Sequence, residues 1–168
     1  MTLRPSLAAA ALFLIISACL PAAAQSVRSL GDFRDWSAYS ASEGAGAVCF
    51  ALSKPQDVAP TPDGYTEAYL YLTHRPEESV RNEINLVAGF IFAPDTPATL
   101  TISGESFDLF TEGDAAWLLD PSRNEDLAGT MRAGSQLTIE GTSDKGIRVV
   151  ETFSLSGATA ASRAISEC

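Results

Sequence analysis

From Gly46 onward, apolar and polar residues alternate in short stretches, and Gly, Pro or Asp breaks the pattern about every ten residues. This constrains the fold more than any other feature of the chain. A period of two is that of a half-buried strand, and short strands at this spacing point to an antiparallel sandwich or barrel. "GAVCFALS" puts Val48, Phe50 and Leu52 on one face and Cys49 on the other. "EAYLYLT" sends Ala68, Leu70 and Leu72 one way, Tyr69 and Tyr71 the other. "EINLVAGFIF" aligns Ile84, Leu86, Ala88, Phe90 and Phe92, with Val87 and Ile91 behind them, which predicts a strand buried on both sides. "ATLTIS", "ESFDLFT", "SQLTIEG" and "IRVVETFSL" repeat the alternation through Leu100, Phe107, Ile139 and Phe153.

Two stretches change period. In "DPSRNEDLAGTMRAG", Ser122 and Glu125 have capping-box spacing, Leu127 and Met131 share a face, and Gly134 is placed to end a helix. In "SGATAASRAISEC", Ala158, Ala161, Ala164 and Ile165 form an apolar stripe. The expectation is a mostly β protein, an antiparallel β-sandwich with two short helices, one at the C-terminus. Both tryptophans, Trp36 and Trp117, are expected in its core, because large aromatics supply much of the buried area of a small domain. "SKPQDVAPTPDG", 53–64, reads as a surface loop.

The first residues, "MTLRPSLAAAALFLIISACLPAAAQ", read as an export signal. One basic residue, Arg4, precedes an apolar run too short to span a bilayer comfortably, and Ala22 and Ala24 form an A-x-A cleavage site. Residues 1–24 are therefore expected to leave as a signal peptide, giving one domain, 25–168, that begins at Gln25 and has no integral membrane span. A competing cut would lipidate Cys19, which follows Ile16, Ser17 and Ala18, and would anchor the chain to a membrane. Pro21 favours the A-x-A site by breaking the apolar run where an extended chain is needed. Either cut exports the chain to the periplasm, the outer membrane or the exterior.

Export makes the cysteine count informative. Cys19 goes with the leader or becomes acylated, and Cys49 and Cys168 remain. Two cysteines in an oxidising compartment most simply pair, closing a loop of about 120 residues worth roughly 4–5 kcal/mol in chain entropy. Two free thiols are the alternative. Two cysteines and one histidine seldom complete a zinc shell.

The chain carries 11 Lys+Arg against 21 Asp+Glu, a net charge of −10. That balance makes nucleic acid and anionic lipid poor partners, since both are recognised by basic patches. The scattered acids read as a solvated surface.

Catalytic patterns are scarce. "GTSDKG", 141–146, misses the nucleophile-elbow spacing by one residue and reads as a hairpin turn. "GAGAVC" is followed by a strand, so it is no phosphate loop. No cofactor or metal motif is present. The single histidine lies in "YLTHRPEESVRNEIN". His74, Arg75, Arg81 and Glu83 are the candidate interaction residues. One reading makes His74 the base of a periplasmic hydrolase, oriented by Glu77, Glu78 or Glu83, but no serine stands in an activating context. The other has Arg75, Arg81 and Glu83 form ion pairs that hold a hairpin in register.

In order, Trp36, "VCFALS", "YLTHRP", "RNEINLVAGF", "GDAAWL", "MRAGSQLTIEGTSDKG" and "TFSLSGATAASRAISEC" resemble the invasion-associated locus B family of alphaproteobacterial envelope proteins. The resemblance spans nearly all of 25–168. It implies an exported, mostly β domain with a Cys49–Cys168 pair, and it brings no catalytic residue with it. The expected function is a non-enzymatic binding or surface-interaction module of the cell envelope, with an unidentified protein or envelope partner.

Overall fold

The computed structural model describes residues 27–43 and 46–168. The leader, Cys19 and the expected cut before Gln25 lie outside the described residues. Among the described residues there are eleven strands: β1 Val27–Phe33, β2 Trp36–Glu43, β3 Gly46–Ser53, β4 Asp57–Ala59, β5 Tyr69–Arg75, β6 Val80–Val87, β7 Ala98–Ile102, β8 Glu105–Glu112, β9 Ala115–Leu118, β10 Gln136–Thr142 and β11 Arg148–Ser154. Two helices join them, α1 Asn124–Ala133 and α2 Ala158–Ser166.

Every strand pairing is antiparallel, and the order across the sheet is β1-β2-β3-β5-β6-β9-β8-β7-β10-β11-β4. The sheet folds over so that β2 meets the end of β11. There the Trp36 indole N–H donates to the Ser154 carbonyl at 2.9 Å, and the Asp35 N–H donates to the Ser156 carbonyl at 3.2 Å. The two halves share one core, with Leu70 and Leu86 from one side and Leu100, Phe107, Ile139 and Phe153 from the other, all buried. This is the antiparallel sandwich with two helices that the alternation predicts.

Helix α2 packs on β1, β2, β3 and β5 through Ala158, Ala161 and Ile165. The strands beneath it present small side chains, Ala38 and Ala51, both fully buried. Gly157 makes the approach possible. Its φ of +97° is left-handed, and a Cβ there would stand 1.7 Å from the Phe33 carbonyl oxygen. Cys49 and Cys168 are joined with their Cα atoms 6.2 Å apart, across 119 residues of sequence. The bond ties the end of α2 to β3.

Four expectations change. The strand predicted through Phe92 stops at Val87, because Gly89 turns with φ +70° where a Cβ would lie 2.4 Å from the Thr66 carbonyl oxygen. Beyond it Phe90 and Phe92 still turn inward, but Ile91 is 52 % exposed and Val87 is half-buried, so this segment is not closed on both sides. The capping box does not form. Pro121–Arg123 is a 3₁₀ turn, Ser122 lies inside it, and Asp120 caps it by accepting the Ser122 N–H at 3.0 Å. The loop 53–64 contains the short edge strand β4, which pairs with β11. Trp36 is buried as expected, but Trp117 is only half-buried and faces outward from β9.

Candidate functional site

The sequence-predicted cluster forms around a bulge between β5 and β6. The register slips there: Thr73 pairs with Glu83 but Arg75 with Val80. Asn82 sits in the bulge at φ +54°, a conformation Asn tolerates better than most residues. This turns its side chain inward, where His74 Nε2 lies 3.2 Å from Asn82 Oδ1. The Asn82 amide in turn donates to Glu125 Oε2 at 2.5 Å, linking the bulge to α1. Arg132 holds the other Glu125 oxygen at 3.1 Å.

His74 is 5 % exposed, and its cross-strand partner is Cys49, already committed to the disulfide. Burial lowers the imidazole pKa, the Asn82 hydrogen bond opposes that shift, and the Arg81 charge adds to it. The arrangement favours a neutral ring held by a neutral amide. Asn82 is the hydrogen-bond partner of the ring among the described side chains, and Asn is no nucleophile.

Arg75 grips both Glu83 oxygens at 2.8 Å and reaches Glu78 through Nε at 3.1 Å. Arg81 does not join this pairing. It is exposed and forms no ion pair among the described residues, because the bulge points it away from the hairpin's acids. The structure thus brings His74 and its neighbours into two separate contacts: Arg75–Glu83 on the outer face, and buried His74–Asn82, which reaches out to the exposed Glu125.

A buried acid was not anticipated. Glu151 points inward from β11 between Val149 and Phe153, where the alternation of "IRVVETFSL" already placed it. The Tyr65 hydroxyl donates to Oε1 over a long 3.4 Å, and Oε2 has no hydrogen-bond partner. Burial pushes the Glu151 carboxyl up to about 8, so it is largely protonated at neutral pH.

The outward face of β2, β3, β5, β6, β9 and β8 presents a different surface. Tyr39 stacks on Phe50 with ring centres 5.4 Å apart, and Phe50 lies 6.1 Å from Tyr71. Farther across, Phe110 and Trp117 stack at 5.2 Å. Between the two groups runs β6, whose outward residues Glu83, Asn85 and Val87 are smaller. One cross-strand row reads Tyr71–Asn85–Trp117–Phe110. Tyr71 and Trp117 therefore stand two strand spacings apart, about 10 Å, with Asn85 between them. The result is a trough with aromatic walls, comprising two adjoining hollows of about 350 and 370 Å³ that share Glu83 and Trp117. Both helices bury their apolar residues in the core, and Asn124 at the start of α1, with Pro121, closes one end of the first hollow. The sequence signal for this trough was present in Tyr69 and Tyr71, which alternate with the core leucines. Which strand flanks which could not be read from it.

Among solved structures, the chain is similar to invasion associated protein B from Bartonella henselae, at 16 % identity and a TM-score of 0.57. The likeness covers 83 % of this chain and 97 % of that one. It shows that the two share a fold. No family model matches the sequence, and no curated protein matches it either. Among the described residues no helix is long and apolar enough to cross a membrane.

Proposed function

We propose that this chain is an exported cell-envelope protein of the invasion-associated locus B type that works by binding, and that the aromatic trough over β6 is its contact surface. The observation that carries this reading is the trough. Half-exposed aromatics gathered on one uncovered sheet face are costly to leave in water and useful for recognition. The shared fold and the resemblance of the ordered motifs support the family assignment. The leader pattern supports export, with Gln25 as the mature N-terminus. Intact-mass measurement tests it, since an acylated species beginning at Cys19 would replace that assignment.

The hydrolase alternative gains little from the His74 geometry. A general base needs a proton to take, and His74 is buried against an amide. The deciding experiment is complementation of a deletion strain. Tyr71→Ser combined with Trp117→Ser should abolish rescue while the chain stays folded and exported. His74→Ala should rescue. A folded, exported His74→Ala chain that fails to rescue would transfer the function to the histidine.

A further inference from the structure

The polar atoms of the trough indicate what it takes. Its cations are already spent: Arg75 is held by Glu83 and Glu78. Lys54, at the neighbouring end of the aromatic face, is paired with Glu67. The Asn85 amide nitrogen donates to the Ala116 carbonyl at 3.2 Å, which leaves its oxygen for a ligand. Glu112 adds a further acceptor at the rim. The exposed Arg81 lines neither hollow, so a free anion in them would find no unpaired cation and would meet carboxylates instead. The occupant that matches is uncharged, has flat apolar faces to lie against aromatic walls, and carries hydroxyl donors along its edges to meet the acceptors.

Resting on the reading that this trough is the binding surface, we propose that it holds a neutral glycan. One pyranose ring lies between Tyr71 and Trp117 over Asn85, and the polymer runs along β6. The walls fit this ligand in width. A spacing of about 10 Å between the flanking strands leaves room for one ring between two side chains. The trough is open at the surface, as an internal segment of a polymer requires. A proline-rich peptide would also favour aromatic walls, but its backbone offers mainly carbonyl acceptors, whereas Asn85 Oδ1 and the Glu112 carboxylate call for donors.

The two tryptophans provide the readout. Trp36 is sealed in the core, whereas Trp117 forms a trough wall, so a ligand-induced change in emission reports the trough. The oxidised protein is titrated with cellohexaose, chitohexaose and maltohexaose. Parallel titrations use hyaluronan as an acidic glycan and an uncharged proline-rich decapeptide. The expected result is saturable quenching by at least one neutral hexasaccharide, with hyaluronan at least about tenfold weaker. Tyr71→Ala, Asn85→Ala and Trp117→Ala should each weaken binding about tenfold, by calorimetry where the fluorophore is gone. Trp117→Phe should restore most of it, and His74→Ala should bind as the parent does.

If no neutral hexasaccharide binds, the glycan assignment is wrong. Saturation by the decapeptide instead would make the trough a peptide site, and concentration-dependent self-association that requires Tyr71 and Trp117 would make it an interface between copies. Either outcome overturns the ligand class and leaves the binding function standing. If nothing engages the trough and the Tyr71/Trp117 double variant still rescues the deletion strain, both proposals fall.

Discussion

The two faces of β3 follow opposite rules of size. Inward it presents Cys49, Ala51 and Ser53, all nearly or fully buried. Outward it presents Val48, Phe50 and Leu52, larger and more apolar, yet only half-buried. Hydrophobicity alone would have turned the strand over. The reason it does not is α2: a helix laid against a sheet needs small residues beneath it, and the disulfide fixes that helix in place. With the inner side filled by a helix, the larger residues have only the outer side to occupy. There they join tyrosines from β2 and β5 on the outer face instead of the core.

The largest expected effect breaks the inner face at its covalent tie. Cys49→Ser with Cys168→Ser should lower unfolding free energy by roughly 4–5 kcal/mol, an upper figure from loop entropy, and should release α2 to exchange before the strands do. Denaturant titration and hydrogen exchange measure this. If α2 keeps its protection without the bond, small-residue packing alone holds the helix.

Next comes the charge state of the interior, where two buried groups pull in opposite directions. Glu151 titrates near 4.5 when unfolded and at about 8 when folded. Between those values the native chain keeps a proton that the unfolded chain has released, so stability falls as pH rises, by on the order of a few kcal/mol. Glu151→Gln should flatten that slope. His74 has the reverse sign. Its folded pKa is lowered from 6.5, so below that value the unfolded chain takes up the proton more readily, and stability falls as pH drops. His74→Gln should remove the acid-side loss and leave the alkaline one. Melting curves across pH for both variants separate the two contributions, and a Glu151→Gln chain with an unchanged alkaline slope would show that water reaches the carboxylate.

The smallest effects compare neighbouring residues of one strand. Ala51→Leu adds apolar atoms to the closed face and should cost about 1–3 kcal/mol through overpacking. Phe50→Thr removes an aromatic ring from the open face and should cost about 1 kcal/mol or less, because Thr also suits a strand. Equal losses in denaturant midpoint would mean that the outer face is more enclosed than its half-buried side chains indicate.

Much of the fold was legible because strand alternation is local. Leu70, Leu72, Leu100, Phe107 and Ile139 announce their faces by period alone. β1 and β2 were not recognised as strands, since β2, "WSAYSASE", alternates small residues whose burial depends on a distant helix. The site was less legible. Arg75 and Glu83 were found together as an ion pair, but Arg81 was misplaced, because the bulge at Asn82 changes which way each side chain points. Glu125, expected to cap its own helix, bonds instead to Asn82, 43 residues earlier in the chain. Of the trough, only the outward tyrosines of β5 were legible.

What the sequence by itself determined is whatever acts within one element: the period of each strand, the apolar stripes of two helices, and two cysteines left to pair. What only the tertiary structure decided is whatever depends on the order of strands across the sheet. Tyr71, Asn85, Trp117 and Phe110 form one row because β5, β6, β9 and β8 are neighbours in space. Strand order is set by closing one core around α1 and α2. That is a property of the whole chain's packing, which no local period encodes.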